Sequence, residues 1–251
     1  MSRFIKLSRS TVERYIQCQR CCYLEKNHNI RPPSLPFTLN IAVDNLCKNE
    51  FDFYREKQEP HPLFKKHQID AVPFKHDHID IWRNNFQGLR YKSLDYNYDF
   101  GGAIDDVWQK RSGELIVADV KATSRNEFNW LETFQKYDYP KAYKRQLEMY
   151  QWLLRKKGFK VSNEAYLLYF NGKKNEKFFN NTLQFDTHLI KLDCSSEWVE
   201  QAILDTVNLL RSSTFPKPST KCDFCNYIKK RWNLAKNILS LIHISEPTRQ
   251  P

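Results

Sequence analysis

Gly102-Ala-Ile-Asp-Asp-Val-Trp-Gln-Lys-Arg-Ser-Gly-Glu-Leu-Ile-Val-Ala-Asp-Val-Lys-Ala-Thr123 is the stretch that decides the fold of this chain. It predicts two β-strands joined by a short turn. Arg111-Ser112-Gly113 forms a three-residue hairpin loop, with glycine at the position that favours a left-handed backbone. Counting outwards from this loop, the two strands place Asp105 directly opposite Asp119.

This pairing predicts a small charged site on one face of the hairpin. Directly opposite residues have Cβ atoms roughly 5 Å apart and share a face, and Lys121 lies two residues further along that face. Two carboxylates and an ammonium group suit Mg²⁺ or Mn²⁺ together with a phosphate. Two alternatives stay open: a surface charge cluster without a metal, and a bulge that puts Asp106 in place of Asp105.

Three short motifs in this region resemble a known family of enzymes. Gly102-x-x-Asp105, Asp119-x-Lys121 and Gln146-x-x-x-Tyr150 occur in this order on hairpin, strand and following helix. Together they resemble the RecB-like branch of the PD-(D/E)xK nuclease superfamily, which includes CRISPR-associated exonucleases. The resemblance extends from about Leu7 to about Trp232. It implies an α/β fold with a restriction-endonuclease-like core, in which a central mixed β-sheet is flanked by helices.

The resemblance also implies a set of metal ligands. Asp105 and Asp119 would bind Mg²⁺ or Mn²⁺, and the Val120 carbonyl could be a further ligand. In this family an acid or histidine on an early helix completes the site. Asp44 is the best-placed candidate and Glu50 is the second choice, although an acid on a helix is more often simply solvated.

The same resemblance assigns the catalytic side chains. Lys121 would position or activate the attacking water. Gln146 and Tyr150 would line the site and touch the nucleic-acid backbone. They are four residues apart, so they lie on one face of a helix.

Four of the seven cysteines form two C-x-x-C pairs near the two ends of the chain. The pairs are Cys18/Cys21 and Cys222/Cys225, and together they can supply four thiolates to tetrahedral Zn²⁺ or to a [4Fe-4S] cluster. Related RecB-like nucleases join their chain ends through an iron–sulfur cluster held by one N-terminal and three C-terminal cysteines. Here Arg231 occupies the place of a third C-terminal cysteine, so Cys21 would take the missing role. Cluster, zinc and four unrelated thiols all stay open.

The other cysteines and the histidines carry weaker signals. Cys22 is a less favoured substitute ligand, and Cys47 and Cys194 are predicted to be small buried residues. Four histidines lie between Pro60 and Asp80 without a ligand spacing. We therefore expect a surface loop there rather than a metal site.

Composition points to a polyanionic partner. The net charge is +11 and the pI is about 9.2, as is common for proteins that bind nucleic acid.

We expect a metal-dependent DNA nuclease, exonuclease-type, acting in DNA repair, recombination or CRISPR-like processing. The alternative is a catalytically inactive, cysteine-stapled nucleic-acid-binding module. No helicase motif occurs, so a helicase or repair partner would be a separate chain.

No apolar run reaches membrane-span length and no signal-peptide pattern appears, so we expect a cytoplasmic protein without a membrane partner.

Residues 1–238 are predicted to form a single nuclease domain, with cysteine-bearing end segments at 1–37 and 213–232. Residues 239–251 resemble the conceptual translation of a sequencing adaptor, so we expect a non-native tail there that is not part of the fold.

Several further elements can be predicted from capping and periodicity. A capping box from Ser10 to Glu13 should open a short helix that carries Cys18. The aromatic segment Asn126–Tyr139 could stack on unpaired bases or pack against the core. Thr38–Lys57 is predicted to be an amphipathic helix whose apolar positions, at helical spacing, are Leu39, Ala42, Val43, Leu46 and Phe53. The remaining predicted elements are strands at Gly88–Tyr98, Ala165–Asn171 and Leu183–Leu192, and helices at Lys141–Lys157 and Ser196–Arg211.

Overall fold

A computed structural model describes residues 4–33 and 38–244, with side chains described up to residue 238. The strands are β1 (Ile5–Ser8), β2 (Ala71–Pro73), β3 (Leu89–Ser93), β4 (Tyr98–Gly102), β5 (Asp106–Lys110), β6 (Leu115–Thr123), β7 (Val161–Gly172) and β8 (Phe185–Asp193). The helices are α1 (Arg9–Gln17), α2 (Gln19–His28), α3 (Thr38–Lys57), α4 (Pro62–Lys66), α5 (Ile79–Arg83), α6 (Trp130–Lys136), α7 (Tyr139–Lys156), α8 (Val199–Arg211) and α9 (Asp223–Ile244).

The chain divides into two compact units. The first contains Met1–Glu13 and Leu35–Val207, and the second contains Arg14–Ser34 and Asn208–Pro251. The single domain predicted for 1–238 stays a prediction. Of the predicted adaptor-like tail, residues 245–251 lie outside the described part of the chain, as do the side chains of 239–244.

The first unit is built on a mixed β-sheet flanked by helices, as predicted. Five strands lie in the order β2-β5-β6-β7-β8; β6 and β7 are parallel and the other neighbours are antiparallel. A second sheet has the order β1-β4-β3, with β1 parallel to β4. The polypeptide between β6 and β7 contains α6 and α7, which provides the crossover that a parallel pair requires.

The β5–β6 hairpin has the predicted register. The Lys110 amide donates to the Glu114 carbonyl at 2.9 Å, and Gly113 has φ +82°, the left-handed conformation that suits glycine. Pairing continues without a shift to Asp106 opposite Ala118. One further step places Asp105, which immediately precedes β5, opposite Asp119. The bulge that would have exchanged Asp105 and Asp106 is therefore absent from this hairpin.

Helix α3 has the predicted bounds, but the predicted buried face is wrong. Leu39, Leu46 and Phe53 are exposed, whereas Cys47, Phe51 and Arg55 are buried. Phe51 stacks on the indole of Trp108 from β5, with ring centroids 5.7 Å apart. This contact and the ion pairs of Arg55 determine which face of α3 is buried, and the pattern of apolar residues along the helix does not.

Three smaller predictions also need correction. Ser8, not Ser10, caps α1, because its Oγ accepts from the Thr11 amide at 3.2 Å, and Cys18 lies between α1 and α2 instead of on the first helix. The predicted strand Gly88–Tyr98 is the start of a hairpin formed by β3 and β4. His61 does not lie on a surface loop, because it is buried and stacks on Phe51 at 4.2 Å.

The remaining predicted elements match the structure to within a few residues, namely α7, β7, β8 and α8. The described helices include none that is both long and apolar enough to cross a membrane.

Candidate active site and cysteine cluster

Asp105 and Asp119 lie together at the predicted position. Asp119 on β6 is fully buried, and Asp105 Oδ2 accepts a hydrogen bond from the Val120 amide at 2.9 Å. Burial and the neighbouring Asp105 carboxylate raise the pKa of Asp119 to about 7, although Lys121 opposes the shift. For Asp105, burial also acts to raise the pKa, but the charges of Lys121 and Lys48 outweigh it and the pKa is lowered. The pair therefore has the unequal proton affinities expected of two carboxylates in one site.

Lys121 bonds directly to this pair. Its Nζ donates to Asp119 Oδ2 and, at 3.2 Å, to the Val120 carbonyl. The ammonium also lies 4.9 Å from the ring centroid of Tyr143 on α7. Burial acts to lower the pKa of Lys121, but Asp119 and Asp105 outweigh it and raise that pKa. Lys121 is thus a charged group held at the carboxylates.

Gln146 and Tyr150 reach the site from the buried face of α7. Gln146 Nε2 donates to Asp119 Oδ1 at 2.7 Å and to the Tyr150 hydroxyl at 3.2 Å. A Cβ on Gly102 would lie 2.9 Å from Tyr150 Cε1 and 3.2 Å from Arg9 Cβ. This close approach explains why the first motif position is glycine.

Asp44 is connected to the pair through a residue that the sequence analysis missed. Lys48 Nζ donates to Asp44 Oδ2 at 2.6 Å and lies 3.6 Å from Asp105 Oδ1. Burial and the Asp105 charge raise the pKa of Asp44, against the opposing effect of Lys48. Glu50, the second candidate, instead contacts His61 at 3.1 Å. The four-residue spacing of Asp44 and Lys48 on one helix was the available signal.

The carboxylates offer the oxygen donors that a divalent cation needs. Within the described residues, Asp44 Oδ1 is buried without a hydrogen-bond partner, which leaves one acceptor ready for a ligand. The carboxylates of Asp44, Asp105 and Asp119 are nevertheless further apart than the cysteine sulfur atoms. In the described part of the chain, the four cysteines are the only group whose possible metal-binding atoms lie this close together. Lys48 and Lys121 offset the negative charge among the carboxylates.

The two C-x-x-C pairs come together in the second unit. Cys21 Sγ lies 3.5 Å from Cys222 Sγ and 3.6 Å from Cys225 Sγ, and Cys18 Sγ lies 3.8 Å from Cys225 Sγ. All four sulfur atoms are within 4.8 Å of one another. Four unrelated thiols would not meet in this way, so the arrangement fits a bound metal centre.

The cysteine cluster has local support. Burial acts to raise the pKa of Cys18, but hydrogen bonds from backbone amides, first that of Ser219, outweigh it and lower the pKa to about 7. The Arg20 guanidinium donates to the Pro216 carbonyl at 2.9 Å, which ties α2 to the segment before the second pair. Cys47 and Cys194 are buried free thiols elsewhere, as predicted.

Comparison with known proteins identifies the superfamily. Residues 43–229, well over half of the chain, match the model of the PD-(D/E)XK nuclease superfamily, and the chain belongs to it. No relative matches among the curated proteins.

Among solved structures, one neighbour is the crystal structure of SSO0001, with 13% identity, TM-score 0.42, and coverage of 86% of this chain and 81% of that one. Another is a protein of Eubacterium rectale whose exonuclease name is provisional, with 12% identity, TM-score 0.42, and coverage of 88% and 86%.

Proposed function

We propose that this chain is a metal-dependent DNA nuclease of the RecB-like branch, which hydrolyses phosphodiester bonds by exonuclease-type action. The observation that carries the proposal is the continuous set of contacts from Gln146 through Asp119 to Lys121, with Asp105 alongside. An inactive descendant would have no reason to keep the half-buried Asp105 carboxylate beside the fully buried Asp119 carboxylate, because like charges directly opposite each other are destabilising. DNA repair, recombination or CRISPR-like processing is the proposed setting.

Asp105, Asp119 and Asp44, together with the Val120 carbonyl, would hold Mg²⁺ or Mn²⁺. When bound, the metal would lower the pKa of water and offset charge on the phosphate. Gln146 fixes the orientation of the Asp119 carboxylate through its amide. Lys121 is placed to orient the attacking water or to stabilise negative charge that develops on the phosphate.

The geometry of the cysteine cluster favours one Zn²⁺ ion over a [4Fe-4S] cluster. A tetrahedral site with Zn–S bonds of about 2.3 Å places its sulfur atoms roughly 3.8 Å apart. Three of the sulfur–sulfur separations, 3.5, 3.6 and 3.8 Å, agree with that value, and all four sulfur atoms lie within 4.8 Å of one another. In a [4Fe-4S] cluster each thiolate binds a different iron atom, so the sulfurs must lie further apart.

The proposed partner is DNA, either single-stranded or with free ends, and any helicase or repair protein would be a separate chain. The net charge of +11 supports this choice, because basic proteins gain affinity for the phosphate backbone by counterion release.

The test is cleavage of end-labelled single- and double-stranded DNA with Mg²⁺, Mn²⁺ or no added divalent ion. Wild type should cleave only with metal, and Asp119→Ala and Lys121→Ala should not cleave. Asp70→Ala is the matched control, because Asp70 is exposed on the same unit. Lys121→Ala should still bind DNA. A folded wild type that binds DNA but never cleaves it would support the inactive binding module instead.

A further inference from the structure

A cavity of about 250 Å³ opens beside Lys121 in the first unit. Pockets for drug-sized ligands measure roughly 300–1,000 Å³, so this cavity suits a smaller, flat group. Its walls combine aromatic, cationic and small polar side chains: Lys121, Ala122, Thr123, Arg125, Phe128, Thr133, Tyr139, Tyr143 and Tyr169.

The aromatic walls are held in place by their neighbours. Phe128 stacks on His188 with centroids 4.3 Å apart and lies 5.0 Å from the ring of Tyr169. Tyr169 pairs with Lys121 across the β6–β7 ladder. Tyr143 lies 6.5 Å from Tyr169 and beneath the Lys121 ammonium. The rings therefore form a continuous surface that starts at the catalytic lysine.

Arg125 supplies a fixed positive charge at the same cavity. Its guanidinium donates to the Tyr139 hydroxyl at 2.5 Å and to Thr133 Oγ1 at 3.3 Å. Asn171, a buried residue of β7, accepts from the Arg125 amide at 2.8 Å and donates to its carbonyl at 3.1 Å. Because the planar guanidinium presents several N–H donors that match a phosphate, this side chain can hold a phosphate beside the cavity.

We propose that this cavity binds one unpaired nucleobase of the DNA strand, from the nucleotide next to the phosphate that is cleaved. The inference rests on the proposed nuclease function and adds a binding site for one base of the DNA substrate, which requires that base to be unpaired. Aromatic rings bind any base through its π-face. A base that is still paired carries its partner along one edge, so it cannot enter a cavity of this size.

The test measures binding of single-stranded oligonucleotides to full-length protein carrying Asp119→Asn, which blocks cleavage without changing a residue that lines the cavity. Phe128→Ala removes one wall, Phe128→Trp keeps an aromatic wall, and Phe86→Ala is the matched control. Phe86 is exposed on the same unit and lies outside this cavity. A fluorescent base, 2-aminopurine, is placed at successive positions, and a second oligonucleotide set carries a single abasic site at each position.

Phe128→Ala should weaken binding about 5- to 150-fold, the range that one base–aromatic stack provides. Phe128→Trp and Phe86→Ala should bind like the parent. Quenching of 2-aminopurine and loss of affinity at an abasic site should coincide at one position. Equal effects at every position would overturn the proposal, and this abasic series needs no variant of the cavity itself.

This test distinguishes failure of the base-binding proposal from failure of the nuclease proposal, because wild type is assayed for cleavage of the same oligonucleotides. Metal-dependent cleavage without any position-specific base effect would overturn the base pocket and leave the nuclease in place. A position-specific base effect without cleavage would support the pocket and overturn the nuclease.

Discussion

Asp105 and Asp106 are adjacent in sequence, and we predict that their replacement by asparagine has opposite consequences. Asp105 faces Asp119 in the candidate active site. Asp106 faces the other side of the sheet, where its Oδ1 accepts from Arg55 at 2.5 Å and from Arg83 at 2.9 Å. Asp105→Asn should therefore slow cleavage strongly with little change in stability, whereas Asp106→Asn should unfold far more easily.

The magnitudes follow from these contacts. Removing one partner of a buried ion pair typically costs about 3–5 kcal/mol, and the side chains of Asp106 and Arg55 are each only 5% exposed. For a protein of this size, each kcal/mol corresponds to about 2–4 °C in Tm, so Asp106→Asn should lower Tm by about 6–20 °C.

In Asp105→Asn, the amide oxygen can still accept from Val120. The variant loses the attraction of Lys121 and the 3.6 Å contact with Lys48, but it also loses repulsion from Asp119 and Asp44. Each effect is about 0.2–1 kcal/mol and the signs are opposite, so the net change should stay within about 1 kcal/mol. Loss of a metal-binding charge should slow cleavage by about 100-fold or more, which corresponds to several kcal/mol of transition-state stabilisation.

The assay combines thermal unfolding monitored by circular dichroism with cleavage of labelled DNA well below the Tm of each variant. Wild type and both variants are measured in one buffer. An Asp106→Asn protein with a wild-type Tm would refute the energetic reasoning about the buried ion pairs. An Asp105→Asn protein that cleaves at the wild-type rate would remove Asp105 from the mechanism.

Three further changes have definite expected results. Burial lowers the pKa of His61 below its ordinary value, against the effect of Glu50. The unfolded chain therefore takes up the proton first, and the free energy of unfolding should fall as pH drops through about 6.5. His61→Gln should reduce this dependence of stability on pH, measured by urea unfolding at several pH values, and an unchanged dependence would contradict the assignment. Cys222→Ser should lose one bound Zn²⁺ per chain in elemental analysis while Cys194→Ser, a buried thiol outside the cluster, keeps it; equal zinc in both would contradict a cluster site. Gly102→Ala should displace Tyr150 and slow cleavage. Gly158→Ala is the control, because there is open space around Gly158. It should lower the free energy of unfolding by about 1–3 kcal/mol because of the positive φ, without loss of activity in the folded protein.

The hairpin of the candidate active site was predictable because its register depends on local information. Once the loop at 111–113 is recognised, every opposite pair follows by counting, and the observed pairing reaches Asp106–Ala118 without a shift. Gln146 and Tyr150 were equally accessible, since a four-residue separation on a helix places two side chains on one face. The roles proposed for these residues come from the family resemblance, whereas their spacing in the sequence predicted only their positions.

The buried face of α3 was not predictable, because distant contacts select it. The exposed positions include Leu46 and Phe53, while Arg55 is buried against Asp106, a residue 51 positions away. A hydrophobicity pattern ranks leucine above arginine and contains no information about a distant carboxylate that neutralises the guanidinium. The pairing of Lys48 with Asp44 could have been predicted from their four-residue spacing, but the proximity of Lys48 to Asp105 depends on how α3 packs on the sheet.

The Asp106 contacts also explain how α3 is brought to the candidate active site. Asp105 lies one residue before β5, so its position depends on where that strand begins. Asp106, the first residue of the strand, is bound by Arg55 from α3 and Arg83 from α5. The same helix α3 carries Asp44, which approaches Asp105 only if α3 keeps this packing. The hairpin itself is defined by its local turn. Weakening the Asp106 contacts should therefore separate Asp44 from Asp105 before the hairpin unfolds, and Asp106→Asn should lose part of its cleavage activity even at temperatures where its secondary structure is intact.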